Sequence, residues 1–352
     1  MKTNRLGEKQ RRLAAWFKPK MPEARDLSLS PLQRSQSGYS AETYFFDLHW
    51  REEDGRDATR SLVVRCDVEA FDFLPKGGLR KQFQVIKSLA DGTDLPVPKP
   101  YWIEEDIAIL GGPFFVMERI DGEVQRDNPN RPSGLFFEAS AEQRASMWKQ
   151  AVEVMARLHR VDYRKLGLTD LEKDSDGENA IDRRIAYLER LMARMSERVL
   201  VLDTALDWLK ANRYEPGFLC LCWGDARPGN IMYRDHEVVA ILDWELAHIG
   251  CPESDLAYFL MIEGRDAGGR NGLSTLEGVP GREETIEYYE SVAGRKLENL
   301  MFHEVAGALN LGIMLALSVD AWPDKGHKPF PPGFTQNNGA TRALVNLLGA
   351  SS

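Results

Sequence analysis

One stretch constrains this chain more than any other. From Cys222 it reads Cys-Trp-Gly-Asp-Ala-Arg-Pro-Gly-Asn-Ile-Met-Tyr, then Arg-Asp-His-Glu, then Val-Val-Ala-Ile-Leu-Asp-Trp-Glu. Residues 231–233 and 238–242 are β-rich apolar runs, and the polar residues between them fit a turn, so the pair predicts a hairpin. Pro228 and Gly229 predict a tight loop, not a helix, just ahead of it. Asn230 and Asp243 then fall at the hairpin's open end, close in space, with Asp225 five residues before Asn230.

Two carboxylates and an amide around one point suit phosphoryl transfer. A carboxylate must accept a hydrogen bond from an attacking hydroxyl, the role of Asp225. An amide oxygen and a second carboxylate must hold Mg2+ against a triphosphate, the roles of Asn230 and Asp243. Asp-x-x-x-x-Asn alone is weak, because both residues are common in turns. Joined to the hairpin and to Asp-Trp-Glu, the signal is strong. The segment resembles the aminoglycoside phosphotransferase and choline kinase-like family, whose loop typically reads His-Gly-Asp-x-x-x-x-Asn. Its metal motif, Asp-Trp-Glu or Asp-Phe-Asp, is often followed by Gly-x-x-x-x-Asp-Leu-Ala, here Gly250 to Ala257. The likeness is to a bacterial branch related to the kinase-like domain fused to some acyl-CoA dehydrogenases. Trp223 stands where the family has His, which alters how the loop is supported.

The resemblance implies an α+β, two-lobed protein-kinase-like fold. Residues 1–119 would form a small lobe, an antiparallel sheet with one main helix, preceded by an N-terminal helix. Residues 120–124 would be a hinge, and 125–352 a larger, mostly helical lobe carrying the catalytic loop, metal site and acceptor site. The patterns agree with this. Residues 4–17 read as a basic amphipathic helix with Leu6, Leu13, Trp16 and Phe17 on its apolar side. Residues 27–32, 43–50, 61–66 and 113–119 read as strands. Residues 79–89, 141–160, 183–194, 200–213, 283–293 and 302–317 read as helices.

Between the first strands, Gly38-Tyr39-Ser40-Ala41-Glu42-Thr43 matches the family's Gly-x-Ser-x-Glu-Thr. Ser37, Gly38, Tyr39 and Ser40 would cradle phosphates with backbone N–H groups. By strand order Arg65 takes the place of the nucleotide-binding Lys, and Gln82 that of its partner Glu. Arg65 offers a planar fork in place of a point charge, and Gln82 only a hydrogen bond. Met117, Glu118 and Ile120 lie where the adenine of ATP, or the guanine of GTP, would bond main chain. Arg227 would orient Asp225 or meet a phosphate, and Glu245 would assist the metal or support the loop.

A net charge of −9 argues against nonspecific nucleic-acid binding. The charged N-terminus lacks a signal-peptide core, and no apolar run reads as a membrane span; residues 306–317, broken by Gly and Asn, fit a buried helix. Four scattered cysteines fit reduced thiols. A cytoplasmic enzyme with a small-molecule acceptor, no nucleic acid and no membrane is expected, with its oligomeric state open. The main reading is an ATP- and Mg2+-dependent O-phosphotransferase whose acceptor is a hydroxyl-bearing metabolite such as a hydroxyacyl-CoA. Arg183, Arg184, Arg190, Arg194 and Arg198 offer charge to an anionic acceptor, and the acidic residues 170–178 to a cationic one. Two alternatives stay open: an aminoglycoside-modifying kinase, and a nucleotide-binding regulatory pseudokinase suggested by Trp223, Arg65 and Gln82. The intact trio Asp225, Asn230 and Asp243 favours activity.

Overall fold

The computed structural model describes residues 2–35, 41–67, 78–125, 133–173, 177–262, 276–321 and 329–349. Two units separate by their internal contacts: Met1–Asp91 with Val97–Asp121, and Gly92–Pro96 with Gly122–Ser352.

The first unit begins with α1 (Lys2–Phe17), followed by β1 (Arg25–Leu29), β2 (Gln33–Arg34), β3 (Glu42–Arg51) and β4 (Asp57–Cys66). Then come α2 (Gly78–Gly92), β5 (Pro100–Glu104), α3 (Ile107–Leu110) and β6 (Phe114–Glu118). The strands make one antiparallel sheet in the order β1-β3-β4-β6-β5, with β2 added against β3. Alternation gives each face its own helix. One face carries Tyr44, Phe46, Leu48, Leu62, Val64, Cys66, Phe114 and Val116, and α1 covers it with Leu13, Trp16 and Phe17. Burying those three side chains is worth about 5–9 kcal/mol as an upper estimate, so α1 is part of this unit and not a loose arm. The other face belongs to α2, whose Phe83 ring lies 5.9 Å from Phe115.

The second unit contains β7 (Glu123–Val124), α4 (Leu135–Glu138), α5 (Ala141–His159), α6 (Ala180–Met192), α7 (Leu200–Ala211) and β8 (Cys220–Cys222). It continues with β9 (Ile231–Arg234), β10 (Glu237–Ile241), β11 (His248–Gly250), α8 (Glu253–Ile262), α9 (Arg282–Ala293), α10 (Leu300–Ala321) and α11 (Gly339–Leu348). A capping box starts α5: Gln143 N–H donates to Ser140 Oγ, and Ser140 N–H donates to Gln143 Oε1 at 2.8 Å. From there α5 buries Met147, Trp148, Val152, Met155 and Leu158 and ends on buried His159. By length and composition α10 could cross a membrane, longer than the sequence pattern suggested, but 67% of its most apolar stretch is buried. It packs against α6, α7, α8 and α11 and is a core helix of this unit. Where the sequence suggested a hinge, Glu123 and Val124 form β7 and pair with Tyr233 and Met232 of β9.

Candidate active site

The expected hairpin is β9 and β10, with Glu237 opposite Arg234 and Ile241 opposite Ile231. Its two turn residues, Asp235 and His236, have φ of 51° and 68°. Two consecutive left-handed residues make the type I′ turn that suits the strands' twist. At the open end Leu242 N–H donates to the Asn230 carbonyl at 2.8 Å, bringing Asp243 back beside Asn230. Asp243 itself has φ of 63°, left-handed for a residue with a side chain. Upstream, β8 pairs with β11, Cys222 opposite His248, so the chain enters and leaves the loop side by side. Gly224, at φ 89°, makes this possible: a Cβ there would lie 2.1 Å from the Leu246 carbonyl oxygen.

Within the loop, Asp225, Arg227 and Asn230 are brought together. Asn230 Nδ2 donates to Asp225 Oδ2 at 2.6 Å and to the Asp225 carbonyl at 3.0 Å. Arg227 Nε donates to the same carboxylate oxygen at 3.1 Å. With its nitrogen committed to Asp225, Asn230 turns Oδ1 away from it. Burial and the neighbouring charge of Asp243 push the Asp225 carboxyl above the ordinary carboxylate range, against the opposing pull of Arg227 and Asn230. Two carboxylates near enough to repel, beside an amide oxygen, form a hard oxygen set of the kind Mg2+ takes.

What holds the loop was less visible in the sequence. Asp255, buried at the start of α8, accepts from Trp223 N–H at 2.6 Å, Gly224 N–H at 2.8 Å and His159 Nε2 at 2.9 Å. The other nitrogen of His159 meets the Tyr289 hydroxyl at 2.6 Å. Burial raises the Asp255 carboxyl, but the hydrogen bond and charge of His159 carry it below the usual range. Asp-Leu-Ala, within Gly250 to Ala257, was the sequence signal that pointed to this chain of contacts. Trp223, 1% exposed, donates from Nε1 to the Leu242 carbonyl at 2.8 Å. The Leu242 peptide is therefore held at its N–H by Asn230 and at its C=O by Trp223, just before Asp243.

The nucleotide residues proposed from sequence fall in the first unit. Arg65 stands on β4 opposite Phe115 of β6. Opposed residues share a face, so Arg65 lies on the side of the sheet that Phe115 offers to α2. Gln82 is buried on α2. Met117 and Glu118 end β6, and Ile120 follows it, half-buried. Ser37, Gly38, Tyr39 and Ser40 lie outside the described residues.

An antiparallel sheet with one helix on each face, and a mainly helical unit whose catalytic-type loop runs into a hairpin, are the architecture of a kinase-like phosphotransferase. More particularly, the chain belongs to the phosphotransferase enzyme family, whose model matches residues 32–290. It is similar to acyl-CoA dehydrogenase family member 11 of Rattus norvegicus, 32% identical over 232 residues, which are 64% of this chain and 27% of that protein. Likeness to acyl-CoA dehydrogenase family member 10 of Mus musculus is 28% over 236 residues, 66% of this chain and 20% of that protein. The chain thus spans less than a third of these relatives. A Ralstonia eutropha JMP134 protein named for aminoglycoside phosphotransferases shares the fold, with TM-score 0.72, 23% identity and coverage of 97% and 99% of the two chains. So does aminoglycoside phosphotransferase APH(4)-Ia in ternary complex with ADP and hygromycin B, with TM-score 0.57, 17% identity and the same coverage.

Proposed function

We propose that this protein transfers the γ-phosphoryl group of ATP to a hydroxyl of a small molecule with the help of Mg2+. The observation that carries the reading is Asp225, fixed by Asn230 and Arg227 with Asp243 at hand. Asp225 receives the hydrogen bond of the acceptor hydroxyl and orients its oxygen for attack. Arg227 and Asn230 hold that carboxylate in one rotamer. Asn230 Oδ1 and the Asp243 carboxylate would hold Mg2+, which when bound neutralises triphosphate charge. Arg65 and Gln82, the main chain at Met117, Glu118 and Ile120, and the segment 37–40 are the residues we assign to the nucleotide. That APH(4)-Ia forms a complex with ADP and hygromycin B supports a nucleotide and a small-molecule acceptor for a chain of this fold. The relatives named for acyl-CoA dehydrogenases support a metabolite acceptor over an antibiotic, and a hydroxyacyl-CoA is the first to try. Four buried free thiols support a reducing, cytoplasmic setting.

Trp223 is the ground for a second reading, a nucleotide-binding protein without turnover. Its hydrogen bond to Leu242 favours activity, because it supports the loop in place of the family's His. ADP formation should be measured with ATP and GTP, with and without Mg2+, across hydroxyacyl-CoA esters, sugar alcohols, kanamycin and hygromycin B. Mg2+-dependent ADP release that rises with one acceptor class is expected. Tight MgATP binding with no turnover on any member would favour the second reading.

A further inference from the structure

Cys251, Glu253 and His303 meet inside the second unit. One ligand atom from each, the thiol sulfur, a carboxylate oxygen and a ring nitrogen, lies within 4.8 Å of the other two. The three come from different elements: Cys251 directly follows β11, Glu253 opens α8, and His303 stands in the first turn of α10. They are 3%, 2% and 4% exposed, so the cluster is closed to solvent. Tyr214, between α7 and β8, joins two of them: its hydroxyl lies 2.7 Å from His303 Nε2 and 3.7 Å from Cys251 Sγ.

Glu253 is the least satisfied member. Glu298 N–H donates to its Oε1 at 2.9 Å. Arg295 Nη2 pairs with the same oxygen at 3.7 Å, while its guanidinium lies over the Phe218 ring. Oε2 has no hydrogen bond among the described residues. A carboxylate taken out of water needs a close partner or a metal. A neighbouring trio, His159, Cys220 and Cys222, has similar spacing but is already committed. Both ring nitrogens of His159 are bonded, to Tyr289 and Asp255, and the two thiols contact each other and main-chain carbonyls.

We propose that Cys251, Glu253 and His303 bind a structural Zn2+ ion, with the Tyr214 hydroxyl at the fourth position. Sulfur and imidazole select zinc over Mg2+, which takes oxygen ligands. On binding, the Cys251 thiol gives up its proton to solvent, and no electrons change hands. Thiolate and carboxylate together cancel the charge of the ion. Bonds of about 2.0–2.3 Å in a tetrahedron put ligand atoms about 3.4–3.6 Å apart, so the side chains close by about 1 Å on loading. Asp255, two residues past Glu253 on α8, holds Trp223 N–H and Gly224 N–H, so the ion would fix the helix end that supports the Asp225 loop.

The inference is independent of the phosphotransfer reading. For its test, the full chain is expressed in medium supplemented with Zn2+ or with Co2+, purified without a metal-affinity step, and gel-filtered in excess Mg2+ to occupy the Asp225–Asp243 set. Elemental analysis should find about one Zn2+ per chain, and the Co2+ form should show thiolate-to-cobalt charge-transfer absorption. A zinc-selective chelator should lower the melting temperature of wild type. Cys251→Ser and His303→Gln should each retain under about a tenth of an ion, while Cys220→Ser and Cys66→Ser keep the wild-type content. Folded wild type without bound zinc, a Co2+ form lacking the thiolate band, or full zinc content in folded Cys251→Ser would each overturn the proposal. If both ligand variants fail to fold, the zinc content, Co2+ spectrum and chelator response of wild type still decide.

Discussion

Replacing Trp223 by Phe tests whether the indole positions the metal carboxylate or merely fills space. Its Nε1–H binds the Leu242 carbonyl at 2.8 Å while the Leu242 N–H binds Asn230, also at 2.8 Å. The next residue, Asp243, is left-handed at φ 63°. Such a conformation costs about 1–3 kcal/mol and persists only when its surroundings over-determine it. Removing the indole N–H forfeits about 1 kcal/mol of net hydrogen bonding. The space vacated beside Trp244, whose ring is 6.0 Å away, costs about 1–2 kcal/mol more, a fraction of a full aromatic truncation. Denaturant titration should therefore show a loss of about 2–3 kcal/mol. With one of two tethers gone, about 1 kcal/mol of bias toward the bound geometry of Asp243 disappears as well. Half-saturation by Mg2+ in the ATP reaction should rise roughly 5- to 10-fold. Trp223→His, which restores a donor on a smaller ring, should recover part of the Mg2+ affinity but not the stability. If Trp223→Phe loses stability yet keeps the wild-type Mg2+ half-saturation, the indole only packs and the positioning argument is wrong.

Asp225→Asn should retain MgATP binding by calorimetry while turnover falls by roughly 10²-fold or more; wild-type turnover would remove Asp225 from the chemistry. Because burial and then Asp243 raise the Asp225 carboxyl, while Arg227 and Asn230 oppose, the acid limb of kcat/KM should lie above the ordinary carboxylate range of about 4. The sign for stability follows: this group's contribution is present below the unfolded pKa and lost as pH rises through the folded one, so Asp225→Asn should be more stable than wild type at neutral pH. Asp255 has the opposite sign. Its depressed carboxyl stabilises above the unfolded pKa and ceases to as pH falls through the folded value, and Asp255→Asn should cost about 2–4 kcal/mol at pH 7 and flatten that acid loss in urea titrations. Asp243→Ala should weaken ATP binding in the presence of Mg2+ far more than in EDTA, and equal losses in both would place Asp243 outside the metal site.

Much of the fold was legible because its signals are local. Alternation fixed β3 and β4, and period-3.6 stripes fixed α1, α2 and α5. Short elements such as α3 and α4 escaped, since four residues carry no period. Glu123 and Val124 could not be read as strand, because a two-residue strand exists only through its partner β9. The same division runs through the candidate site. Asp225, Asn230 and Asp243 were set by spacing alone, because a five-residue loop and a hairpin leave their side chains nowhere else to go. The carboxylate that anchors the loop lies 30 residues beyond Asp225, and its His159 partner 96 residues before it. Whether Trp223 breaks or supports the loop turned on one hydrogen bond to Leu242. Sequence determines what neighbours along the chain must do, while burial and charge pairing are sums over residues distant in the chain, and only the tertiary structure brings those together.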